Sequence, residues 1–390
     1  MPSRLLAAVL SGSLLLLIGC RGDVETFEPP DLVRGETGRL TFSASDDRSP
    51  AWTPSGDAIL YHTNGLVGVD SGPGVLVRIS VASGSAQALF PTVQSPDIVG
   101  EQWLLAPTPR PDGAAVAFAE IAATWPAHPC ELNLVVRLVC TPARSPAEAE
   151  QPPLQLIAIH ARELETAGPL SANPTFEFRA EGTQIVPGAP KLSITVDHPY
   201  QQLFARDRPA TFRPTWSPDG TRLAFSDGLR LLIWTVGSGT PEPVPNSEDG
   251  VWPAWSPDGE WIAFTRLERV DSTGVFCDYV VLGTVICQQE RMEYTIGRHI
   301  LSLVRTDGRE LRELTEGDEP AWAPDGSTLY FTAQSRIMSI PAGGGSVQAV
   351  PGTENGREPA VSPDGRLLAY AQLEGADHDI WVAGLSPLHP

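Results

Sequence analysis

Pro253-Ala254-Trp255-Ser256-Pro257-Asp258-Gly259, followed by Glu260-Trp261-Ile262-Ala263-Phe264, is the stretch that decides the fold. Ile262 and Phe264 stand three and five residues after Gly259, a period of two that marks a strand with one buried face. Residues 256–259 read as a turn. Proline presets φ, aspartate bonds the local backbone, and glycine takes the positive φ. The stretch is therefore a β-hairpin.

Outward from it, the same pattern recurs without gaps at 50–56, 107–113, 214–220, 320–326 and 359–365, six copies in all. Trp52, Trp216, Trp255 and Trp322 hold the third place in four copies, with Pro109 and Val361 in the others. Three residues after each glycine stand Ile59, Val116, Leu223, Ile262, Leu329 and Leu368. Five after stand Tyr61, Phe118, Phe225, Phe264, Phe331 and Tyr370. Such recurrence marks units too small to bury an apolar face alone. Proline cannot donate to a ladder, so the first strand of each copy needs a free edge. The innermost strand of a propeller blade, bordering the central channel, has one. Apolar runs at 76–81, 231–236, 299–304 and 380–385 supply a third strand, and 86–90, 311–314 and 346–350 a fourth. Four antiparallel strands per unit make a propeller blade. The expected class is all-β, a six-bladed β-propeller.

On these six copies the chain resembles the WD-like repeat of the TolB family, also found in propeller domains of prolyl oligopeptidase-type enzymes. The resemblance covers most of residues 36–385. It implies the propeller and partner capture at the channel mouth; the repeat decorates many activities, so it leaves the chemistry open. TolB itself carries an α/β domain before its propeller, whereas this chain has a short tether there, at residues 20–35.

Successive repeat glycines are 57, 107, 39, 67 and 39 residues apart, so the bare unit is about 39 and some blades carry insertions. These fall near 121–153, 165–210 and 267–297. The span 165–210 has no repeat signature and reads as an insertion or a degenerate seventh blade; six blades are favoured over seven. The last copy stops after its third strand, and residues 39–43 resemble the fourth strand at 311–315. An N-terminal strand is thus expected to close the last blade and remove its open edge.

Arg4 precedes an apolar run at 5–18, shorter than the roughly 20 residues a membrane helix needs but suited to a secretory signal. Leu17-Ile18-Gly19-Cys20 resembles the bacterial lipobox. It implies a leader of residues 1–19, a lipidated Cys20, a tether over 20–35 and a propeller over 36–390. Arg21, rather than an aspartate, follows Cys20, which in such lipoproteins favours the outer membrane over the inner. The other four cysteines form two pairs of equal spacing, Cys130 with Cys140 and Cys277 with Cys287. In an oxidising compartment an even number reads as two disulfides. Three connectivities are open; the two local bridges are favoured because each pair lies within one insertion. The net charge of −20 repels nucleic acid and anionic lipid head groups. A monomer is expected.

No nucleophile elbow, zinc-binding helix motif, Walker loop or dinucleotide fingerprint occurs. The histidines (His62, His128, His160, His198, His299, His378 and His389) form no pair at ligand spacing. The repeat aspartates Asp112, Asp219, Asp258, Asp325 and Asp364 are expected to cap turns, the repeat tryptophans to pack between blades, and Asp377-His378-Asp379 to be a solvated loop. No metal or cofactor is expected. One column differs from copy to copy: Ser49, Ala106, Arg213, Trp252, Glu319 and Glu358, each just before the first proline. Six-fold repetition would set them around one channel mouth, which makes them the candidate binding residues. The expected function is that of a non-catalytic envelope lipoprotein binding a protein, peptide or glycan there. A polysaccharide lyase or hydrolase is the alternative and would need converging acids, bases or metal ligands. A propeller gating a peptidase in trans is the third reading.

Overall fold

A computed structural model describes residues 32–42, 45–64, 74–90, 100–124, 130–133, 137–140, 154–164, 176–181, 184–185, 213–227, 230–237, 240–281, 284–375 and 377–385. The chain is an all-β, six-bladed propeller of mostly four-stranded antiparallel blades. β1 (Thr37–Arg39) comes first in sequence but belongs to the last blade. Blade 1 is β2 (Asp46–Trp52), β3 (Ala58–Asn64), β4 (Gly74–Ser80) and β5 (Ala86–Leu89). Blade 2 is β6 (Gly100–Pro109), β7 (Ala115–Thr124), β10 (Leu154–Glu163) and β11 (Phe176–Glu181), with the short β12 (Gln184–Ile185) outside. The hairpin β8 (Cys130–Asn133) and β9 (Arg137–Cys140) lies between β7 and β10 in the chain. A parallel bridge, Gly74 to Trp103, joins the sheets of blades 1 and 2.

Blade 3 is β13 (Thr215–Trp216), β14 (Arg222–Ser226), β15 (Leu231–Thr235) and β16 (Glu242–Pro243). Blade 4 is β17 (Gly250–Trp255), β18 (Trp261–Val281), β19 (Thr284–Arg305) and β20 (Leu311–Glu316). Blade 5 is β21 (Asp318–Trp322), β22 (Thr328–Ala333), β23 (Arg336–Pro341) and β24 (Gln348–Glu354). Blade 6 is β25 (Gly356–Val361), β26 (Leu367–Glu374), β27 (Asp377–Gly384) and β1.

The closing strand falls slightly earlier than the sequence suggests. Thr37 to Arg39 pair with Ala383 to Trp381, after which the Leu40 and Thr41 N–H groups both donate to the Ile380 carbonyl. Part of the unassigned span 165–210 supplies β11, the fourth strand of blade 2. Apart from β11 and the short β12, that span, like residues 1–19 and Cys20, lies outside the described residues.

Apolar clusters sit at all six seams between blades, the last joining blade 6 to blade 1. The hairpin period explains how. The residues three and five after the repeat glycine face the preceding blade, and the residue four after faces the next. Ile262 and Phe264 accordingly pack on Ala224, Leu329 and Phe331 on Ala263, and Ile59 and Tyr61 on Ala369. Large side chains meet alanine at four of the six seams, while Leu60 and Tyr330 hold the same place at the other two, and each seam is filled. Phe118, Phe225, Phe264 and Phe331 are fully buried, each contributing about 1.5–3 kcal/mol of transfer free energy.

The tryptophans stitch the same seams. The indole N–H groups of Trp52, Trp216 and Trp322 donate to the carbonyls of Ala360, Thr108 and Ala254, equivalent positions on the preceding blade. The turn aspartates cap as expected. Asp258 accepts from Ser256 Oγ and the Glu260 N–H, Asp364 from Ser362 Oγ and the Arg366 N–H, and Gly259 has φ +77°. Each blade therefore has two rims: a turn rim carrying these aspartates, and a mouth rim where β20 leads into β21 and β24 into β25.

Candidate channel-mouth site

The variable column occupies one structural device. In five inner strands the ladder is interrupted by a bulge: between Arg48 and Ala51, Leu105 and Thr108, Val251 and Ala254, Asp318 and Ala321, and Arg357 and Ala360. Each bulge holds a candidate residue and its proline. Proline is tolerated in sheets at bulges and bars the right-handed helical region to the residue before it. Ser49, Ala106, Trp252, Glu319 and Glu358 adopt φ of +53°, +51°, +51°, +56° and +56°, outside the extended region that a following proline favours. For non-glycine residues that conformation costs about 1–2 kcal/mol.

The strain is held by a relay between blades. The Ser49 N–H and hydroxyl donate to Glu358 Oε2 at 2.5 and 2.9 Å, and Arg48 donates to Glu358 Oε1 at 2.8 Å. One seam back the arrangement repeats. The Glu358 N–H donates to Glu319 Oε2 at 2.9 Å, and Arg357 to Glu319 Oε1 at 2.5 Å. At other seams a side chain six residues after the repeat glycine accepts instead. Thr265 Oγ1 takes the Glu319 N–H at 3.3 Å, and His62 Nδ1 takes the Ala106 N–H at 3.4 Å. Thr332 Oγ1 joins the Glu319–Glu358 seam already described, accepting from the Glu358 N–H and donating to Glu319.

Ser49, Ala106, Trp252, Glu319 and Glu358 are all buried, and Arg213 is partly buried. Burial pushes the Glu358 carboxyl up, but Arg48, Arg357 and its hydrogen bonds outweigh that and hold it well below the usual range. Burial keeps His62 neutral, with a value pulled down to about 4 against an opposing pull from Glu358. Arg213 reaches from blade 3 to the Pro50 carbonyl of blade 1 at 3.1 Å. Burial lowers its pKa, while Glu358 and Glu319 draw it back up.

Two histidines clasp carboxylates at the mouth rim. His378 offers its N–H and Nδ1 to Asp46 Oδ1 at 2.9 and 2.7 Å, and His299 Nδ1 lies 2.5 Å from Asp318. They occupy equivalent places, His299 opposite Leu267 and His378 opposite Leu373. The expectation that Asp377-His378-Asp379 is a solvated loop is therefore corrected. Those residues begin β27, and the buried Asp379 accepts from Arg39 and from Thr41 Oγ1 of the closing segment. Among the described residues no group of three histidines, cysteines or carboxylates is placed to hold a metal ion.

Sequence reading missed Arg48, Arg357, His62, Thr265 and Thr332. The signal was a polar residue directly after the aromatic column, in Tyr61-His62, Phe264-Thr265 and Phe331-Thr332. Cys130 and Cys140 face each other across β8 and β9. Cys277 and Cys287 fall at a ladder irregularity between Phe276 and Tyr279.

Fold and relay define this chain as a six-bladed propeller with a polar, internally bonded channel ring. No protein-family model matches the sequence, and no curated protein matches it. Solved structures give a distant likeness. A putative TolB from Agrobacterium tumefaciens is 16% identical with a TM-score of 0.45, the match covering 89% of this chain and 92% of that one. TolB from Acinetobacter baumannii is 14% identical over 86% of this chain and 64% of that chain, with a TM-score of 0.44. An oligogalacturonate lyase from Vibrio parahaemolyticus is 11% identical over 90% and 95%, with a TM-score of 0.44.

Proposed function

We propose that this protein is an exported lipoprotein, anchored through Cys20 at the outer membrane, whose propeller is a non-catalytic binding module. Its partner is a protein or peptide docked at the mouth rim of the channel. The observation that carries this reading is the contrast between columns. Glycine, tryptophan, aromatic and aspartate columns repeat and serve packing or turns, while the strained column at the inner-strand bulges changes from blade to blade. Strained backbone clusters at functional sites. Both cysteine-bearing excursions leave their blades between second and third strands, on the mouth rim.

The relay supports binding over catalysis. Both oxygens of Glu319 and of Glu358 accept from internal donors, so neither carboxylate is poised as a general acid or base. The test is carboxyl-directed cross-linking of the full chain in envelope extracts. Partner cross-links from Glu316 and Glu354, which end strands at the mouth rim, support the reading. Cross-links confined to the turn-rim aspartates Asp219, Asp258 and Asp325 overturn it. Mass spectrometry of Cys20→Ser reads the anchor: loss of a lipid adduct and release from membranes are expected, and unchanged membrane association refutes it.

A further inference from the structure

We infer that the channel contains a carboxylate-recognition site centred on Arg213, and that its occupant is a peptide. This rests on the mouth-rim reading above and names the ligand chemistry for it. Three arginines approach the ring. Arg48 and Arg357 are paired with Glu358 and Glu319. Arg213 has no carboxylate within ion-pairing distance among the described residues, and its one hydrogen bond goes to the Pro50 carbonyl. A guanidinium has five donors in a planar fork suited to a carboxylate. Most of that fork is unused here, on a partly desolvated cation that carries its charge at any ordinary pH.

The neighbourhood fits an oxygen ligand. Arg213 spans from blade 3 to blade 1, and the intervening blade contributes Ala106, the smallest side chain of the ring. Across the Ala106 backbone stands His62. Its Nδ1 accepts the Ala106 N–H, which puts the ring proton on Nε2, a buried atom with no hydrogen-bond partner. A second donor thus stands without an acceptor at the inner strand of blade 2. Arg48 and Arg357 are matched by their glutamates, so Arg213 is the ring arginine whose charge no carboxylate pairs among the described residues. Proline-interrupted inner strands keep an unladdered edge along the channel, which suits an extended backbone. A saccharide would call for an exposed aromatic face in the ring, and Trp252, the aromatic residue of the variable column, is buried.

The test uses the full chain and an array of eight-residue peptides with free C-termini. Each peptide is paired with its C-terminal amide and with a copy carrying Asn and Gln for Asp and Glu. Peptides that bind are expected to lose about tenfold or more in affinity with Arg213→Gln and to recover part of it with Arg213→Lys. The amide and Asn/Gln copies tell a terminal carboxylate from an acidic side chain. Binding unchanged in Arg213→Gln, at unchanged melting temperature, overturns the site. An array without binders, or binding of an oligouronate alone, overturns the peptide. Mouth-rim cross-links that survive Arg213→Gln refute this inference but not the broader reading, which fails separately if those cross-links are absent.

Discussion

Arg48 of the first blade and Glu358 of the last meet at 2.8 Å, with side chains 2% and 0% exposed. The pair bridges the seam where the chain's two ends close the ring. Removing one member of a buried pair leaves the other charged and desolvated, which costs about 3–5 kcal/mol. Glu358→Gln is expected to lower the denaturant-unfolding free energy by about that much, and Arg48→Met in the same chain to restore more than half. A double variant as unstable as the single one would show that the charge pair is not what Glu358 provides.

His62 makes stability depend on pH. Its folded value is about 4, against about 6.5 in the unfolded chain. The imidazole's contribution is complete above pH 6.5. Below that the unfolded state takes up a proton the native state refuses, so stability falls with pH until the folded value is passed, by about 1.4 kcal/mol per unit. Between pH 7.5 and 5 the loss amounts to roughly 2 kcal/mol. His62→Gln keeps an acceptor for the Ala106 N–H and has no titrating proton. Urea unfolding at the two pH values should show a drop smaller by that amount in the variant. Equal drops would mean that His62 is not held neutral.

How much of this was legible follows from what the columns do. Turn, buried face and seam packing depend on residues close in sequence, so their period shows in the chain itself, and six repetitions closed the architecture. The variable column could also be located, because proline marks its neighbour. Its partners could not be read. Arg48 and Glu358 are 310 positions apart, and nothing in the text of either hairpin says that its neighbour across the seam is the first or the last copy. Asp379 misled for the same reason. A short polar cluster reads as solvated until the closing segment brings Arg39 and Thr41 onto it.

The cysteines give a prediction about connectivity. Cys130 and Cys140 are directly opposed in an antiparallel pair; such Cα atoms lie about 4.5–5.5 Å apart, inside the range a disulfide bridges. In protein produced in an oxidising compartment, the four distal cysteines are expected to resist maleimide until reduced. Cys130→Ser should free one thiol, and Cys130→Ser with Cys140→Ser should free none. Two free thiols in that double variant would establish crossed connectivity instead of local bridges.

Ala106 tests the strained ring without touching its charges. It sits at φ +51° and is fully buried. Glycine there loses about 0.8 kcal/mol of methyl burial and up to about 1 kcal/mol through a freer unfolded chain. It gains the roughly 1–2 kcal/mol that a left-handed alanine costs. Ala106→Gly should therefore lie within about 1 kcal/mol of the wild type in urea unfolding. Ala117, equally buried in the adjacent β7 and free of positive φ, has no strain to release. Ala117→Gly should accordingly lose about 1.5–2 kcal/mol. Equal losses at the two positions would mean that the bulge carries no strain for a bound partner to exploit.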